Sequence, residues 1–172
     1  MLNSEFDEIS NGGADLYPSE KKAEIDDVNG WIYEKLNNGV YRCGFASSQE
    51  AYDGSITDLT EAFDKVIGIL SDGRKFLTGD EMTLADVRLF PTLVRFDEVY
   101  TVYFKCNTRS VVGNKFLLNY CKRIYQMEGI KDTTKMEHIK THYYCSHPKL
   151  NFYSVIPRGV GVEKILGEPI DE

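Results

Sequence analysis

The residues from Met82 to Val87 specify a helix start more firmly than any other part of this sequence. Thr83 is followed three residues later by Asp86, which is a variant of the capping box, in which each side chain accepts a hydrogen bond from the backbone N–H of the other residue. This spacing predicts that a helix begins at Leu84. Met82 before the cap and Val87 at the fourth helical position are placed to form a hydrophobic staple, which sets the direction in which the chain enters the helix.

The helix that follows is apolar over most of its surface. Its apolar residues recur at intervals of three and four and then widen into a band, comprising Leu84, Val87, Phe90, Leu93, Val94, Phe96, Val99, Tyr100 and Tyr103. Pro91 removes a backbone hydrogen bond from the helix and predicts a kink between Val87 and Pro91. We therefore expect a central, buried helix that is bent near its middle.

Further segments show helical periodicity or helix boundaries. They are predicted as a helix from Ser19 to about Leu36 that ends at Asn37, Asn38 and Gly39, a long amphipathic helix from Ser48 to Leu70, a helix from about Gly113 to Met127, and a short helix that begins between Asp132 and Lys135 and ends before Pro148. Gly39 and Gly44 bracket an aromatic segment that is predicted to be a loop. Because the sequence has no alternating strand pattern, we predict an all-α helical bundle.

The two ends of the chain differ in composition from its middle. Residues 1–18 are polar and broken by Gly12, Gly13 and Pro18, so they are expected to form a lead-in or linker. Residues 19–150 contain the predicted helices and are long enough for one domain with a sizeable core. Residues 151–172 are rich in glycine and proline, which predicts an irregular segment wrapped over the helices.

Composition and charge restrict the classes of partner. A hydrophobic content of 42% with 12% aromatic residues indicates a globular core. A net charge of −7 disfavours a nucleic-acid backbone or an anionic membrane as the main partner. The sequence has no apolar run as long as a membrane span, and its first residues lack the pattern of a signal peptide. We expect a cytoplasmic protein that binds neither nucleic acid nor membrane.

Cysteine and histidine spacing disfavours a metal or redox centre. The four cysteines are widely separated and include no C-x-x-C pair: Cys43, Cys106, Cys121 and Cys145. Four free thiols in a reducing compartment are the simplest interpretation. His138 and His142 have the spacing that could offer two metal ligands on one helical face, but no carboxylate pattern accompanies them, so surface or capping positions are favoured. We predict no metal site.

Three tyrosines lie outside the clean apolar patterns. Tyr41 falls in the glycine-bracketed segment, whereas Tyr143 and Tyr144 lie near the end of the last predicted helix. A phenol hydroxyl can donate a hydrogen bond to a phenolate or carbonyl oxygen, so two that converge would suit an aromatic, oxygen-bearing ligand. A plain core or surface position is the alternative for the same residues.

Four stretches, in this order, carry a family resemblance: NNGVYRCGFA, TLADVRLFPTLVRFDEVY, FKCN and MEHIKTHYYCSHPKLN. They resemble the C-terminal half of the glutathionyl-hydroquinone reductases, which are the Xi class of the glutathione transferase superfamily. The capping box at Thr83 and Asp86 also resembles the one at the buried central helix of glutathione transferases in general. The resemblance covers nearly the whole chain and implies a glutathione S-transferase C-terminal-like helical bundle. Two departures are Tyr103, where the family generally has histidine, and the ending after residue 151.

The resemblance also implies what this chain contributes to catalysis. Complete family members carry an N-terminal thioredoxin-like domain with the glutathione site and a catalytic cysteine, whose thiolate attacks the sulfur of a glutathionyl-hydroquinone before a second glutathione resolves the mixed disulfide. That domain is absent from this sequence, so no catalytic residue is expected here. The family gives tyrosines of the helical domain contact with the hydroquinone oxygens, which corresponds here to Tyr41 and to the HYY pair, Tyr143 in preference to Tyr144.

The partners implied by the resemblance are glutathione as co-substrate, small aromatic glutathione conjugates, and a second copy of the complete protein in a homodimer. Cys43 or Cys145 as a replacement nucleophile is disfavoured, because nothing adjacent in the sequence is placed to lower a thiol pKa. The alternative function is a non-catalytic interaction module, since helical domains of this superfamily also serve as assembly surfaces.

Overall fold

The computed structural model describes residue 9 and residues 13–170, and the remaining residues at the two ends lie outside this description. Within the described residues the regular structure is helical, apart from one isolated bridge between Phe76 and Gly79. The prediction of an all-α fold is therefore confirmed. Most of the predicted lead-in at residues 1–18 lies outside the described residues, and the domain division at residue 150 stays a prediction.

The described chain contains the following α-helices, numbered in chain order: α1 Lys22–Ile32, α2 Gly39–Gly44, α3 Gln49–Leu70, α4 Leu84–Arg95, α5 Thr101–Tyr103, α6 Lys115–Tyr125, α7 Ile130–Thr133, α8 Met136–Ser146 and α9 Val162–Leu166. A 3₁₀ turn at Ser19–Lys21 precedes α1. Two π-helical turns, Tyr33–Asn37 and Phe96–Tyr100, follow α1 and α4 directly. The chain thus runs as one nearly continuous helical path through each of these two regions.

Asp86 in the first turn of α4 connects three parts of the fold. Its fully buried carboxylate accepts hydrogen bonds from the N–H of Thr83 at 2.8 Å and from the N–H of Leu77 at 2.9 Å. The hydroxyl of Tyr120, on α6, donates to the same carboxylate at 2.9 Å. Thr83 and Asp86 form the capping box, so α4 begins at Leu84. Burial raises the pKa of the Asp86 carboxyl, while these hydrogen bonds act against that rise.

The remainder of α4 shows where the helix changes geometry. Pro91 lies within α4, and the helix widens into the π-helical turn immediately after Arg95. The kink between Val87 and Pro91 stays a prediction. Met82 and Val87 both line an apolar groove of about 240 Å³ beside α7 and α8. Val87 is 41% exposed, and the staple contact between these two side chains also stays a prediction.

The long helix α3 follows the predicted amphipathic pattern. The Ser48 hydroxyl accepts a hydrogen bond from the N–H of Ala51 at 3.1 Å, which caps the helix. Leu59, Phe63 and Val66 are buried along one side. The prediction of a helix from Ser48 to Leu70 is confirmed, since α3 spans Gln49–Leu70.

The prediction of a loop between Gly39 and Gly44 is wrong. These residues form α2. The preceding helix passes through a π-helical turn that ends at Asn37, so its predicted stop at the asparagines is confirmed. The two glycines permit close packing rather than a bend. A Cβ at Gly39 would lie 3.3 Å from the Leu59 side chain on α3, and a Cβ at Gly44 would overlap the Phe104 ring. Tertiary packing therefore overrides the low helix propensity of glycine at both positions.

The C-terminal tail is more ordered than its composition predicts. Residues Val162–Leu166 form α9, whereas the sequence indicated an irregular segment throughout. Buried Glu98 accepts hydrogen bonds from the N–H of Gly161 at 2.7 Å and of Val162 at 2.9 Å. Lys140, on α8, lies 3.0 Å from the same carboxylate. A carboxylate that is distant in the sequence thus accepts hydrogen bonds from the N–H groups at the start of α9. The sequence near α9 does not indicate this contact.

Candidate functional site

Three tyrosine hydroxyls form a continuous hydrogen-bonded cluster. The hydroxyl of Tyr41 lies 2.5 Å from that of Tyr143, although the two residues are 102 positions apart in the sequence. The hydroxyl of Tyr143 lies 2.8 Å from that of Tyr100. We call Tyr41, Tyr143 and Tyr100 the tyrosine cluster. The structure therefore brings together two of the tyrosines proposed from the sequence and adds a third.

The two π-helical turns position two members of this cluster. The turn at Tyr33–Asn37 directly precedes α2, which carries Tyr41, and Tyr100 is the last residue of the turn at Phe96–Tyr100. A π-helical turn includes an extra residue, so it rotates the side chains that follow relative to a regular α-helix, and such turns recur at functional sites. The remaining member, Tyr143, lies on α8.

Phe104 lies beneath the cluster and packs against five aromatic rings, those of Tyr41, Phe45, Tyr100, Tyr103 and Tyr143. Its ring stacks on that of Tyr100 with a centroid separation of 5.6 Å and an interplanar angle of 7°. The Tyr41 and Phe45 rings lie 5.2 and 5.3 Å from it. Gly44 contributes by having no side chain, because a Cβ there would overlap the Phe104 ring. This packing restricts the directions in which the Tyr41 and Tyr100 hydroxyls point.

The outer side of the cluster is an open aromatic face formed by Tyr41, Phe45 and His147. Tyr41 is 40% exposed and Phe45 is 53% exposed. The His147 ring lies 6.0 Å from that of Phe45, and its Nδ1 lies 3.2 Å from the hydroxyl of Tyr103. Sequence reasoning did not select Phe45, Tyr100 or His147. The only available signal was that His147 follows Tyr143 by four residues, which is the spacing of side chains on one side of a helix, although α8 itself ends at Ser146.

The buried members of the cluster remain protonated at neutral pH. Burial raises the pKa of Tyr100, and the neighbouring Tyr143 hydroxyl adds to that rise. Burial likewise raises the pKa of Tyr143, to about 12. Protonated phenols can donate hydrogen bonds, so the cluster is suited to an oxygen acceptor that carries negative charge.

Tyr144 lies apart from the cluster. Its hydroxyl donates to the backbone carbonyl of Glu98 at 3.2 Å, and its ring packs 4.8 Å from that of Tyr103. The side chain is only 2% exposed, and burial raises its pKa to about 12. Of the HYY pair, Tyr143 is therefore the residue whose hydroxyl meets Tyr41.

The cysteines and histidines form no evident reactive centre. Cys43 is buried, and a hydrogen bond from the Cys106 thiol lowers its pKa while raising that of Cys106. Across residue 9 and residues 13–170, no group of three or more histidine, cysteine, aspartate or glutamate side chains is placed to hold a metal ion. In the same part of the chain, no helix combines the length and apolar character needed to cross a membrane.

Residues 49–123 match the family model described as "Glutathione S-transferase, C-terminal domain". The matched range contains α3 and α4 with the Thr83 and Asp86 capping box. This chain contains a glutathione S-transferase C-terminal domain. The match includes Tyr100 of the tyrosine cluster, whereas Tyr41 and Tyr143 flank it on either side.

Two curated proteins named glutathionyl-hydroquinone reductases are similar over nearly the whole chain. Glutathionyl-hydroquinone reductase YqjG of Escherichia coli is 42% identical over 169 residues, which cover 98% of this chain and 51% of that protein. Glutathionyl-hydroquinone reductase PcpF of Sphingobium chlorophenolicum is 44% identical over 159 residues, which cover 92% of this chain and 50% of that protein. The chain therefore spans about half the length of the curated relatives that it matches.

Solved glutathione transferase structures have the same fold. The Xi-class enzyme from Natrialba magadii superposes with a TM-score of 0.94 at 39% identity, covering 99% of this chain and 51% of that one. The glutathione-bound structure of YqjG from Escherichia coli gives a TM-score of 0.92 at 40% identity, covering 99% of this chain and 54% of that one. The similarity is thus to structures of the Xi class specifically, as well as to the glutathione transferase family in general.

Proposed function

We propose that this domain forms the phenol-binding part of a glutathione-dependent reductase that acts on glutathionyl-hydroquinones. The observation that carries the proposal is the 2.5 Å approach of the Tyr41 and Tyr143 hydroxyls beside an open aromatic face. The similarity to two proteins named glutathionyl-hydroquinone reductases supports the choice of substrate. A flat aromatic ring would pack against Tyr41 and Phe45, and its oxygen would accept hydrogen bonds from the two phenols.

The proposed reaction assigns binding and charge stabilisation to this chain. A cysteine thiolate attacks the sulfur of the glutathionyl-hydroquinone, a sulfur–sulfur bond forms, and the carbon–sulfur bond breaks. Before this attack, the ring carbon that carries the sulfur takes up a proton from solvent and the conjugated hydroxyl loses its own, which gives the keto tautomer. The electron pair of the broken carbon–sulfur bond then restores the aromatic ring and leaves the charge on that oxygen as a phenolate. Tyr41 and Tyr143 donate hydrogen bonds to the oxygen on which the charge develops, which lowers the barrier. A second glutathione then releases the first as glutathione disulfide.

The attacking cysteine and most of the glutathione site are assigned to an N-terminal thioredoxin-like domain, as the resemblance implies. On this proposal the present chain is inactive when assayed alone. Its unpaired cysteines suit a reducing cytoplasm. In the complete protein we expect a homodimer formed largely by the helical domains. Sedimentation of the complete protein as a monomer at all concentrations would contradict the dimer.

Binding of a hydroquinone to this chain tests the proposal directly. In a nuclear magnetic resonance titration with 1,4-naphthohydroquinone, we expect signals of Tyr41, Phe45 and Tyr143 to shift together. The double variant Tyr41→Phe/Tyr143→Phe should weaken binding, because it removes both donors and keeps both rings. The exposed Tyr153, which is 83% exposed, provides the control Tyr153→Phe. Unchanged affinity in the double variant, or shifts confined to the groove beside α7 and α8, would reject the site.

A chimaera tests the complete reaction. The N-terminal half of the Escherichia coli YqjG protein would be joined to this chain at the boundary of the aligned region. We expect the chimaera to release free hydroquinone and glutathione disulfide from a glutathionyl-hydroquinone. A correctly folded chimaera that binds glutathione but releases no hydroquinone would count against the proposal.

A non-catalytic interaction module is the second candidate, and the tail favours it. Phe152, Tyr153 and Val155 are 78%, 83% and 66% exposed, and the first two rings lie 5.0 Å apart. These residues form a short exposed apolar strip that a partner could cover. If the chain acts through this strip, the variant Phe152→Ser/Val155→Ser abolishes partner binding and leaves hydroquinone binding intact. If hydroquinone binding is the function, the Tyr41→Phe/Tyr143→Phe variant weakens hydroquinone binding and leaves partner binding intact.

A further inference from the structure

The hydroxyl of Tyr100 is the buried end of the tyrosine cluster. Tyr100 is 3% exposed, and Tyr143 provides the hydroxyl within hydrogen-bonding distance, at 2.8 Å. At the other end, Tyr41 is 40% exposed on the aromatic face. The three hydroxyls therefore run from the interior to the surface, and only the outer end is open to a ligand.

The number of phenol hydrogens restricts how these hydroxyls can be arranged. Each phenol has one hydrogen, and the two bonds that join Tyr41 to Tyr143 and Tyr143 to Tyr100 use two of the three. If Tyr143 donated inward to Tyr100, the Tyr100 hydrogen would lose its 2.8 Å acceptor and keep only the weaker interaction with the Tyr41 hydroxyl. A buried donor with a poor acceptor is costly, so the favoured arrangement has Tyr100 donating to Tyr143.

When Tyr100 donates, the unused hydrogen is at the outer end in either remaining arrangement. If Tyr143 donates to Tyr41, the free hydrogen is on Tyr41, and if Tyr41 donates to Tyr143, it is on Tyr143. In both cases the Tyr143 oxygen has accepted a hydrogen bond, which polarises its own O–H and makes it a stronger donor. When a ligand oxygen binds, the hydrogen bond between Tyr41 and Tyr143 is exchanged for bonds to that oxygen, so both outer hydroxyls donate to the ligand while Tyr100 continues to donate to Tyr143. The burial of Tyr100 thus keeps the hydrogens of the other two hydroxyls available to a ligand.

We propose that Tyr100 is a positioning residue that directs the cluster outward, so that the site selects a ligand oxygen bearing negative charge over a neutral one. This inference rests on the proposed function and names the ionisation state that the site prefers. Tyr100 does not touch the ligand. It acts through Tyr143, to which it donates, and through Phe104, on which its ring stacks.

The test compares two ligands that differ only at one oxygen. Para-nitrophenolate presents an oxyanion, and para-nitroanisole carries a methyl group on the same oxygen and cannot ionise there. Affinities for the full 172-residue chain are measured by calorimetry at one pH at which the phenol is ionised. We expect the wild-type chain to bind the phenolate more tightly. Tyr100→Phe should lower the ratio of the two affinities by about threefold to tenfold, the usual effect of one hydrogen bond.

Two further variants distinguish a positioning effect of the Tyr100 hydroxyl from a general loss of protein stability. Tyr125→Phe removes a phenol hydroxyl from another buried tyrosine, 2% exposed on α6 and outside the cluster, and should leave the ratio unchanged. Meta-fluorotyrosine incorporated at position 100 keeps the hydroxyl and makes it a stronger donor, so the ratio should rise. This variant also serves if Tyr100→Phe fails to fold, because it preserves the hydrogen bond.

The outcomes distinguish this inference from the proposed function. If the wild-type chain binds neither probe, or binds both equally, the tyrosine site itself is rejected and the inference fails with it. If the wild-type chain prefers the phenolate and neither change at position 100 alters the ratio, the inference is overturned and the phenol-binding site stands. Opposite changes in the ratio for the two Tyr100 variants would support it.

Discussion

The Tyr120 hydroxyl donates a hydrogen bond of 2.9 Å to the Asp86 carboxylate, and this contact joins the middle of α6 to the first turn of α4. Both side chains are buried, at 1% and 0% exposure. The same carboxylate accepts from the N–H of Thr83 and of Leu77, so one side chain holds the helix start, the preceding loop and a neighbouring helix. The helix that begins at this contact continues directly into the π-helical turn that ends at Tyr100.

Asp86→Ala should lower the free energy of unfolding by about 3 kcal/mol, because it leaves several buried donors without an acceptor. Tyr120→Phe removes one of those donors together with its hydrogen bond, and should cost about 1 kcal/mol. Urea denaturation of both variants measures the difference. Equal losses of stability would show that the backbone hydrogen bonds of Asp86 contribute little.

The stability contributed by Asp86 should depend on pH in a defined direction. Burial raises the pKa of this carboxyl above its ordinary value of 3.8, so the folded protein retains the proton to higher pH than the unfolded chain does. The contribution is complete below the unfolded pKa and is lost as pH rises through the folded pKa. The difference in unfolding free energy between wild type and Asp86→Asn should therefore shift against wild type as pH increases. A shift in the opposite direction would mean that the hydrogen bonds outweigh burial.

Gly44→Ala should destabilise the fold, because a Cβ at this position would overlap the Phe104 ring beneath Tyr41. We expect a loss of about 1–3 kcal/mol, which is typical of overpacking. Gly54→Ala is the matched control, because Gly54 lies within α3 and its Cβ would meet open space. That variant should gain about 0.5–1 kcal/mol from higher helix propensity. Thermal unfolding of the two proteins, together with the Tyr41 ring signals of Gly44→Ala, tests the prediction.

Glu98→Gln should loosen the C-terminal tail without unfolding the bundle. The substitution removes the charge that pairs with Lys140 and weakens the acceptor for the N–H groups of Gly161 and Val162. Because hydrogen bonds to a charged group contribute about 1.5–3 kcal/mol, hydrogen exchange of α9 should accelerate by at least about tenfold. Glu137→Gln, at an exposed position on α8, is the control. Unaltered exchange in α9 would show that its apolar contacts alone hold it.

Tyr41→Phe and Tyr143→Phe should each reduce turnover in the complete enzyme or in the YqjG chimaera. Each variant removes one donor to the developing phenolate, with an expected loss of about 1–3 kcal/mol in transition-state stabilisation. Because the two hydroxyls bond to each other, the double variant should lose less transition-state stabilisation than the two single variants lose in sum. Steady-state kinetics with Tyr153→Phe as control measure these effects. Unchanged kcat in both single variants would remove the site assignment.

Local patterns were sufficient for the long helices, because their signals lie within a few residues. The capping box at Thr83 and Asp86 and the three- and four-residue spacing of α3 depend only on neighbours in the chain, and both helices form where these patterns predict. The family resemblance also predicted Tyr41 and Tyr143 as a pair. It could not supply their distance, which is set by two π-helical turns and by α8.

The sequence by itself determined the all-α class and the start of α4, because periodicity and capping depend on short stretches of the chain. The family resemblance predicted the pair of tyrosines from equally short motifs. Only the tertiary structure decided that Gly39–Gly44 is a helix, that Glu98 starts α9 and that Tyr100 completes the tyrosine cluster. In each of these cases the deciding contact comes from residues distant in the chain. Packing against such distant partners produces no pattern in the nearby sequence, so it can be identified only from the tertiary structure.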